Sequence, residues 1–347
     1  MLVDLSTADD IFAKLPEELK SPYFHPYFVV NDSLRDPSLT PLFFVYQEGG
    51  EIFYHAFHLG KVEGTLFFDI QSPYDYGGPL ATTCEPDFLA HAWQHYLTWC
   101  RENRVLAEFI RFHPLLENWR FYPGEILPMR ETVWLDLQEN NRFASYTTRV
   151  RTAIRKAATN GLRVEWRTAE NPSQENSGSD NPGQVFINLY TEAMLKLQAD
   201  KFYFFPDAYF DKLMSWPQTY LALCFQKDTV LGAALFMKQS YLMEYHLAGT
   251  RTEGQKLCAA NLILDEAAKM AQDLGCRKLH LGGGTDNTPG NSLLFFKSGF
   301  SPKRAFFRIG KIIHAPREYE KLQKKWQDRF GQITEKILFY RFPPDIS

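Results

Sequence analysis

What constrains this chain most is an order of patterns that occurs twice. In the first half, Leu42-Phe-Phe-Val-Tyr46 and Glu51-Ile-Phe-Tyr-His-Ala-Phe57 flank the turn Glu48-Gly-Gly50 and read as a β-hairpin. A third strand, Gly64-Thr-Leu-Phe-Phe-Asp69, runs into the loop Ser72-Pro-Tyr-Asp-Tyr-Gly-Gly78, then a helix over about 85–103 and a strand at Ala107-Glu-Phe-Ile-Arg-Phe112. In the second half, Tyr220-Leu-Ala-Leu-Cys-Phe225 and Val230-Leu-Gly-Ala-Ala-Leu-Phe236 flank Lys227-Asp228, and Tyr241-Leu-Met-Glu-Tyr-His-Leu247 is the third strand. A glycine-containing loop, a helix over about 256–274 and the strand Lys278-Leu-His-Leu-Gly282 follow. The repetition is architectural rather than literal, and it points to two fused units of one plan.

Length agrees: 347 residues exceed one ordinary core and fall short of three. Hydrophobic residues at 45% and aromatics at 15% suit packed α/β or α+β domains and argue against disorder. A net charge of -3 gives no global field for nucleic acid or an anionic membrane, so an anionic substrate must be met locally. No stretch approaches the roughly 18–20 apolar residues of a membrane span, and Met1–Pro16 lacks a leader pattern. A soluble, cytoplasmic protein is expected. Cys84, Cys100, Cys224, Cys258 and Cys276 are odd in number and form no Cys-x-x-Cys pair, which fits reduced thiols and predicts neither a disulfide framework nor a metal site.

The run Asn171–Gly183, rich in Pro, Gly, Ser and Asn, reads as a surface loop or linker. Before it, a basic helical pattern over Ser145–Asn160 is closed by Gly161 and followed by the strand-like Leu162–Trp166. Arg149, Arg151, Arg155 and Lys156 give that helix a basic face, suited to solvent or to a phosphate backbone. In the later helix, Leu257, Ala260, Leu264, Ala267, Ala271 and Leu274 recur at helical spacing before Gly275. A strand, a glycine loop and a helix start form a general device for holding a phosphate.

Tyr245-His-Leu-Ala-Gly-Thr250, Ala259–Leu264, Leu279-His-Leu-Gly-Gly-Gly284 and Ser292-Leu-Leu-Phe-Phe-Lys-Ser-Gly-Phe300 resemble, in that order, the second domain of Fem-type peptidoglycan-bridge aminoacyltransferases of the GNAT superfamily. Arg149–Val164 is similar to the segment joining their domains, and Ser72–Gly78 with Phe109-Ile-Arg-Phe-His-Pro114 resembles the first domain more loosely. The resemblance implies two tandem GNAT-like domains of α/β (α+β) class, each a mixed, largely antiparallel sheet flanked by helices. The first covers 1–145, with 318–347 returning to it, and the second covers 146–317. It also implies transfer of an aminoacyl group from charged tRNA to an amine of a peptidoglycan precursor.

The same resemblance supplies candidate residues. Lys297, in the pair Phe296-Lys297, matches a position where a cation stabilises the oxyanion or the leaving oxygen of acyl transfer. His113 stands where the family carries an acid before proline, and an imidazole there keeps base chemistry open. Tyr74, Tyr76, Gly77 and Gly78 offer stacking faces and close backbone approach to an acceptor, with Tyr203, Tyr245 and Phe296 as further substrate-side residues. Arg251, Gly254 and Gln255 form an incomplete pyrophosphate signature, in which Lys256 replaces the final small residue. Gly282, Gly283 and Gly284 end a strand where GNAT sheets splay around the acyl group. No Ser-His-Asp or Cys-His arrangement is present, and direct attack by an amine requires none.

The expectation is therefore a Fem-like acyltransferase acting on a primary amine of a cell-envelope precursor. Its donor is aminoacyl-tRNA or acyl-CoA, and no cofactor is permanently bound. An acetyl-CoA-dependent N-acetyltransferase of a small amine and a non-catalytic cell-wall peptide-binding module are the alternatives.

Overall fold

Alternating and continuous apolar runs set out thirteen strands among the described residues, and their pairing repeats one plan. They are β1 (Leu2–Val3), β2 (Leu39–Glu48), β3 (Glu51–Lys61), β4 (Phe68–Gln71), β5 (Gly78–Ala81), β6 (Val105–Phe112), β7 (Glu125–Asp136), β8 (Leu162–Thr168), β9 (Thr219–Gln226), β10 (Thr229–Gln239), β11 (Leu242–Thr250), β12 (Lys278–Gly283) and β13 (Arg304–Ile313). The computed structural model describes residues 1–171, 181–286, 288, 290–332 and 334–342. Most of the linker Asn171–Gly183, residues 172–180, lies outside the described residues.

Two compact units result. Unit 1 is Met1–Met129 with Phe306–Ser347, and unit 2 is Arg130–Ala305. In unit 1 the strands run β1-β2-β3-β4-β6-β13, with β5 on β3. The order in unit 2 is β8-β9-β10-β11-β12-β7. Each unit therefore has a leading strand, two helices, an antiparallel hairpin and a third strand. Each also has a long helix and a strand parallel to the third: β4 with β6, β11 with β12. The closing strand is exchanged: β7 follows β6 in the chain but pairs with β12, whereas β13 follows β12 and pairs with β6.

Local sequence explains the elements. Gly49 and Gly50, both at positive φ, make the two-residue turn joining β2 to β3, whose register runs unbroken from Glu48↔Glu51 to Leu39↔Gly60. In unit 1 the helix Pro86–Glu102 lays Phe88, Ala92, Trp93, Tyr96 and Cys100 on the sheet, against Phe44, Phe53 and Phe57. In unit 2, Ala259–Asp273 buries Leu262, Ile263, Ala267 and Ala271 against Ala222, Ala234, Met243 and Leu279. Small residues on both surfaces let that helix approach closely.

Several boundaries depart from the sequence reading. The third strand of unit 1 begins at Phe68, because residues 63–66 are spent on a turn and bend. The expected helix over 256–274 is two pieces, Thr252–Lys256 and Ala259–Asp273, broken at Cys258 with φ of 62°. The basic helix runs Thr148–Thr159, capped by the Thr147 side chain.

The C-terminal segment is tied into unit 1 by charge. Arg341 donates from Nε and one terminal nitrogen to the two oxygens of Asp69, at 2.6 and 2.7 Å, and Asp69 is fully buried on β4. Removing one partner of such a pair leaves an uncompensated buried charge. Arg341→Met is thus expected to cost about 3–5 kcal/mol, read as a fall in the denaturant midpoint.

Candidate functional site

Parallel pairing of β11 with β12 lasts only three residues, Leu242–Glu244 against Lys278–His280, although both strands continue. Beyond that point a bulge between His280 and Gly282 shifts the pairing of β12 with β7. Gly282, at φ of +73°, makes the turn that redirects the chain. The result is a wedge between two diverging strands whose backbone groups no longer pair with each other.

Lys297 serves that wedge. Its helix, Ser292–Ser298, is started by Asn291, whose side-chain oxygen accepts from the Leu293 and Leu294 N–H groups at 3.1 and 3.0 Å. The same side chain donates to Thr285 Oγ1 at 2.7 Å, tying the helix to the segment that follows β12. Lys297 is only 7% exposed; its Nζ donates to the Gly283 carbonyl at 2.8 Å and lies 5.7 Å from the Tyr245 ring centre. Burial pushes the Tyr245 hydroxyl up to about 12, so it stays a neutral donor. Phe296 packs on Phe300 at 5.5 Å, and Arg130 donates to the Gly284 and Thr285 carbonyls. Lys297, Tyr245, Gly282, Gly283 and Gly284 thus gather in one region of unit 2.

Two residues in this region escaped the sequence reading. His280 and Glu244 are the last cross-strand pair before the strands separate, with Nδ1 2.8 Å from a Glu244 oxygen and each residue 1% exposed. Their signal was present as polar letters inside the apolar strands Tyr241–Leu247 and Lys278–Gly282. Beside them, the Tyr209 hydroxyl lies 2.8 Å from His246 Nε2.

The pyrophosphate candidates have another setting. Gly254 is buried because a Cβ there would stand 2.3 Å from the Leu231 carbonyl, so packing within the protein already requires the glycine. Arg251 begins the short helix Thr252–Lys256, and Gln255 is exposed. Tyr203 is 39% exposed in the turn Lys201–Tyr203, where its carbonyl accepts from the Tyr190 hydroxyl. A cleft of about 270 Å³ lined by Arg167, Thr168, Asn181, Asp211, Met214 and Thr219 contains none of the candidate residues.

In unit 1 the Tyr-Gly loop is pinned along β6. Gly77 donates to the Arg111 carbonyl at 2.7 Å, and Asn118 donates to the Gly77 and Pro79 carbonyls, fixing Gly78 at the start of β5. Tyr74 and Tyr76 are 9% and 8% exposed; the Tyr76 ring stands edge-on to His113 at 5.0 Å and near Phe307 at 5.8 Å. His113 is fully buried, and its Nδ1 accepts from the Leu115 and Leu116 N–H groups at 3.1 and 3.3 Å. A neutral imidazole so held carries its proton on Nε2. It is a hydrogen-bond donor there, and the base role expected of His113 does not fit this tautomer. Beneath the loop, buried Asp32 holds Arg35, His58 and the Tyr74 N–H, a charge network the sequence reading also missed.

No protein-family model matches the chain, and no curated protein matches it. Among solved structures, FemX is similar with a TM-score of 0.67 at 13% identity, over 93% of this chain and 99% of that one. The C-terminal domain of a putative lysylphosphatidylglycerol synthetase from Agrobacterium fabrum gives 0.57 at 13% identity, over 93% and 96%. L-PGS from Bacillus licheniformis gives 0.56 at 12%, over 88% and 91%. At these identities the likeness is one of fold: the chain has the two-unit α/β architecture expected from the Fem-type resemblance.

The cap of the Lys297 helix can be tested directly. Asn291→Ala is expected to lower stability by about 1 kcal/mol, measured by chemical denaturation.

Proposed function

We propose that this chain is an acyltransferase that moves an aminoacyl or acyl group onto a primary amine, the acceptor being a peptidoglycan precursor of the cell envelope. The observation that carries the reading is the buried Lys297 ammonium, held by the Gly283 carbonyl at the mouth of two diverging parallel strands. The fold shared with FemX supports it.

In this reading the acceptor nitrogen attacks the donor carbonyl, and the tetrahedral oxyanion forms beside Lys297. A fixed cation in a low-dielectric site stabilises that charge without reorganising, by about 3–4 kcal/mol on the scale of oxyanion-hole deletions. Tyr245 contributes an aromatic face beside the ammonium and a hydroxyl that stays protonated. Collapse expels the ribose oxygen of charged tRNA or the thiolate of CoA, and the proton lost by the attacking nitrogen passes to that leaving group. Gly282, Gly283 and Gly284 are assigned to the donor side. We place the reaction in the cytoplasm, where charged tRNA and nucleotide-linked precursors are found; no described helix is long and apolar enough to cross a membrane.

A second reading uses acyl-CoA as donor. Its support is the segment Arg251–Cys258, the short helix Thr252–Lys256 with its flanking residues, which leads from β11 into the N-terminus of the fifteen-residue helix Ala259–Asp273, a placement suited to a diphosphate. Titration of the purified protein with acetyl-CoA, CoA, nucleotide-linked muramyl pentapeptide and a charged-tRNA analogue, followed by thermal shift, separates the two. Stabilisation by the nucleotide-peptide is the expected result; stabilisation by acetyl-CoA alone selects the acyl-CoA reading.

Lys297→Met keeps the aliphatic stem and removes the charge. Transfer to the responding acceptor is expected to fall roughly 10²- to 10³-fold with kcat carrying the loss. A loss below tenfold removes the assigned role.

A further inference from the structure

Unit 1 contains a second cluster of reactive side chains, far along the chain from Lys297 and unused by the reaction proposed above. Cys100 and Tyr96 lie one turn apart on the helix Pro86–Glu102 and point toward the sheet. Glu108 rises from β6, and His314 follows β13, anchored by its N–H to the Leu106 carbonyl at 2.9 Å. One sulfur, one carboxylate oxygen and one imidazole nitrogen, from Cys100, Glu108 and His314, stand within 4.8 Å of one another. Cys100 and Glu108 are fully buried, and the His314 side chain is 4% exposed.

Hydrogen bonds converge on Glu108. Its Oε2 accepts from the Tyr96 hydroxyl at 2.7 Å and lies 3.4 Å from His314 Nε2, and the Tyr122 hydroxyl donates to the same carboxylate. His55, fully buried, lies 5.2 Å from the Tyr96 ring. The ligand types and their spacing suit zinc. A tetrahedral zinc with bonds of about 2.0–2.3 Å sets neighbouring ligand atoms roughly 3.3–3.8 Å apart, and the Glu108–His314 separation of 3.4 Å already meets this. Thiolate, carboxylate and neutral imidazole around a divalent ion sum to zero charge, which suits a site without solvent.

We propose that unit 1 binds a divalent zinc ion through Cys100 Sγ, the Glu108 carboxylate and His314 Nε2. Binding forms the Zn–S bond and releases the Cys100 thiol proton to solvent. A water fills the fourth position, with His55 as its hydrogen-bonding neighbour. Because the ligands come from the long helix, from β6 and from the end of β13, the ion cross-links three elements of unit 1. It is acquired on folding, since its ligands are buried in the folded chain.

The test is metal content, independent of any activity. Full-length protein from zinc-supplemented cells, purified without chelator, is expected to carry about one zinc per chain, falling to background in Cys100→Ala and in Glu108→Gln. If those variants do not fold, X-ray absorption on a chain carrying Cys84→Ser, Cys258→Ser, Cys224→Ala and Cys276→Ala is expected to show one sulfur and at least one imidazole on the zinc. Cobalt taken up during refolding of that chain is expected to give a thiolate charge-transfer band, and metal-free protein is expected to melt several degrees lower. Metal-free protein from supplemented cells with no cobalt uptake overturns the proposal and leaves a buried water. Zinc retained by folded Cys100→Ala, or zinc without sulfur in its shell, overturns it equally.

Discussion

The structure of unit 2 turns on where β11 and β12 stop pairing. Parallel strands share a regular ladder of hydrogen bonds, and ending it early leaves amides and carbonyls that must find other partners. The chain meets part of this need internally: Lys297 takes the Gly283 carbonyl, and Arg130 takes those of Gly284 and Thr285. The Glu244–His280 pair closes the ladder at the last shared register, and a hydrogen-bonded pair so deeply buried tolerates little displacement of either strand. The bulge, the positive φ at Gly282 and the capped helix that carries Lys297 all follow from that one divergence.

Much of this was legible in the sequence because it rests on short-range chemistry. The turn Gly49-Gly50, the apolar run of β10 and the spacing of small residues in Ala259–Asp273 declare themselves within a few positions. The repeated order of elements needed only those local readings. The closing strands β7 and β13 did not emerge, because their partners lie far away in the chain: Thr132–Asp136 faces Lys278–Gly283, and Arg308–Ile313 faces Ala107–Phe112. Nothing local distinguishes a strand that stays with its neighbours from one that crosses to another unit.

The site residues divide along the same line. Lys297 could be singled out because Phe296-Lys297 sits in a run with a family likeness. The tautomer of His113 could not, since it depends on which way the chain folds back after Pro114 to present two N–H groups to Nδ1. Glu244 and His280 are 36 residues apart and become a pair only through strand register. Cys100, counted as an ordinary reduced thiol, acquires Glu108 and His314 as neighbours through a helix crossing and a strand that returns near residue 313.

The exchange of closing strands also sets an order of events during synthesis. Unit 2 is one uninterrupted stretch, complete once residue 305 has been made, whereas unit 1 lacks β13 until that same point has been passed. Through that interval β6 is an open edge, Val105-Leu-Ala-Glu-Phe-Ile-Arg-Phe112, with two charged side chains in eight residues and a full row of unpaired amides. The nascent chain carries an adhesive strand while residues 113–303 are translated, which makes this edge the place where chaperones would engage and where truncated products would aggregate.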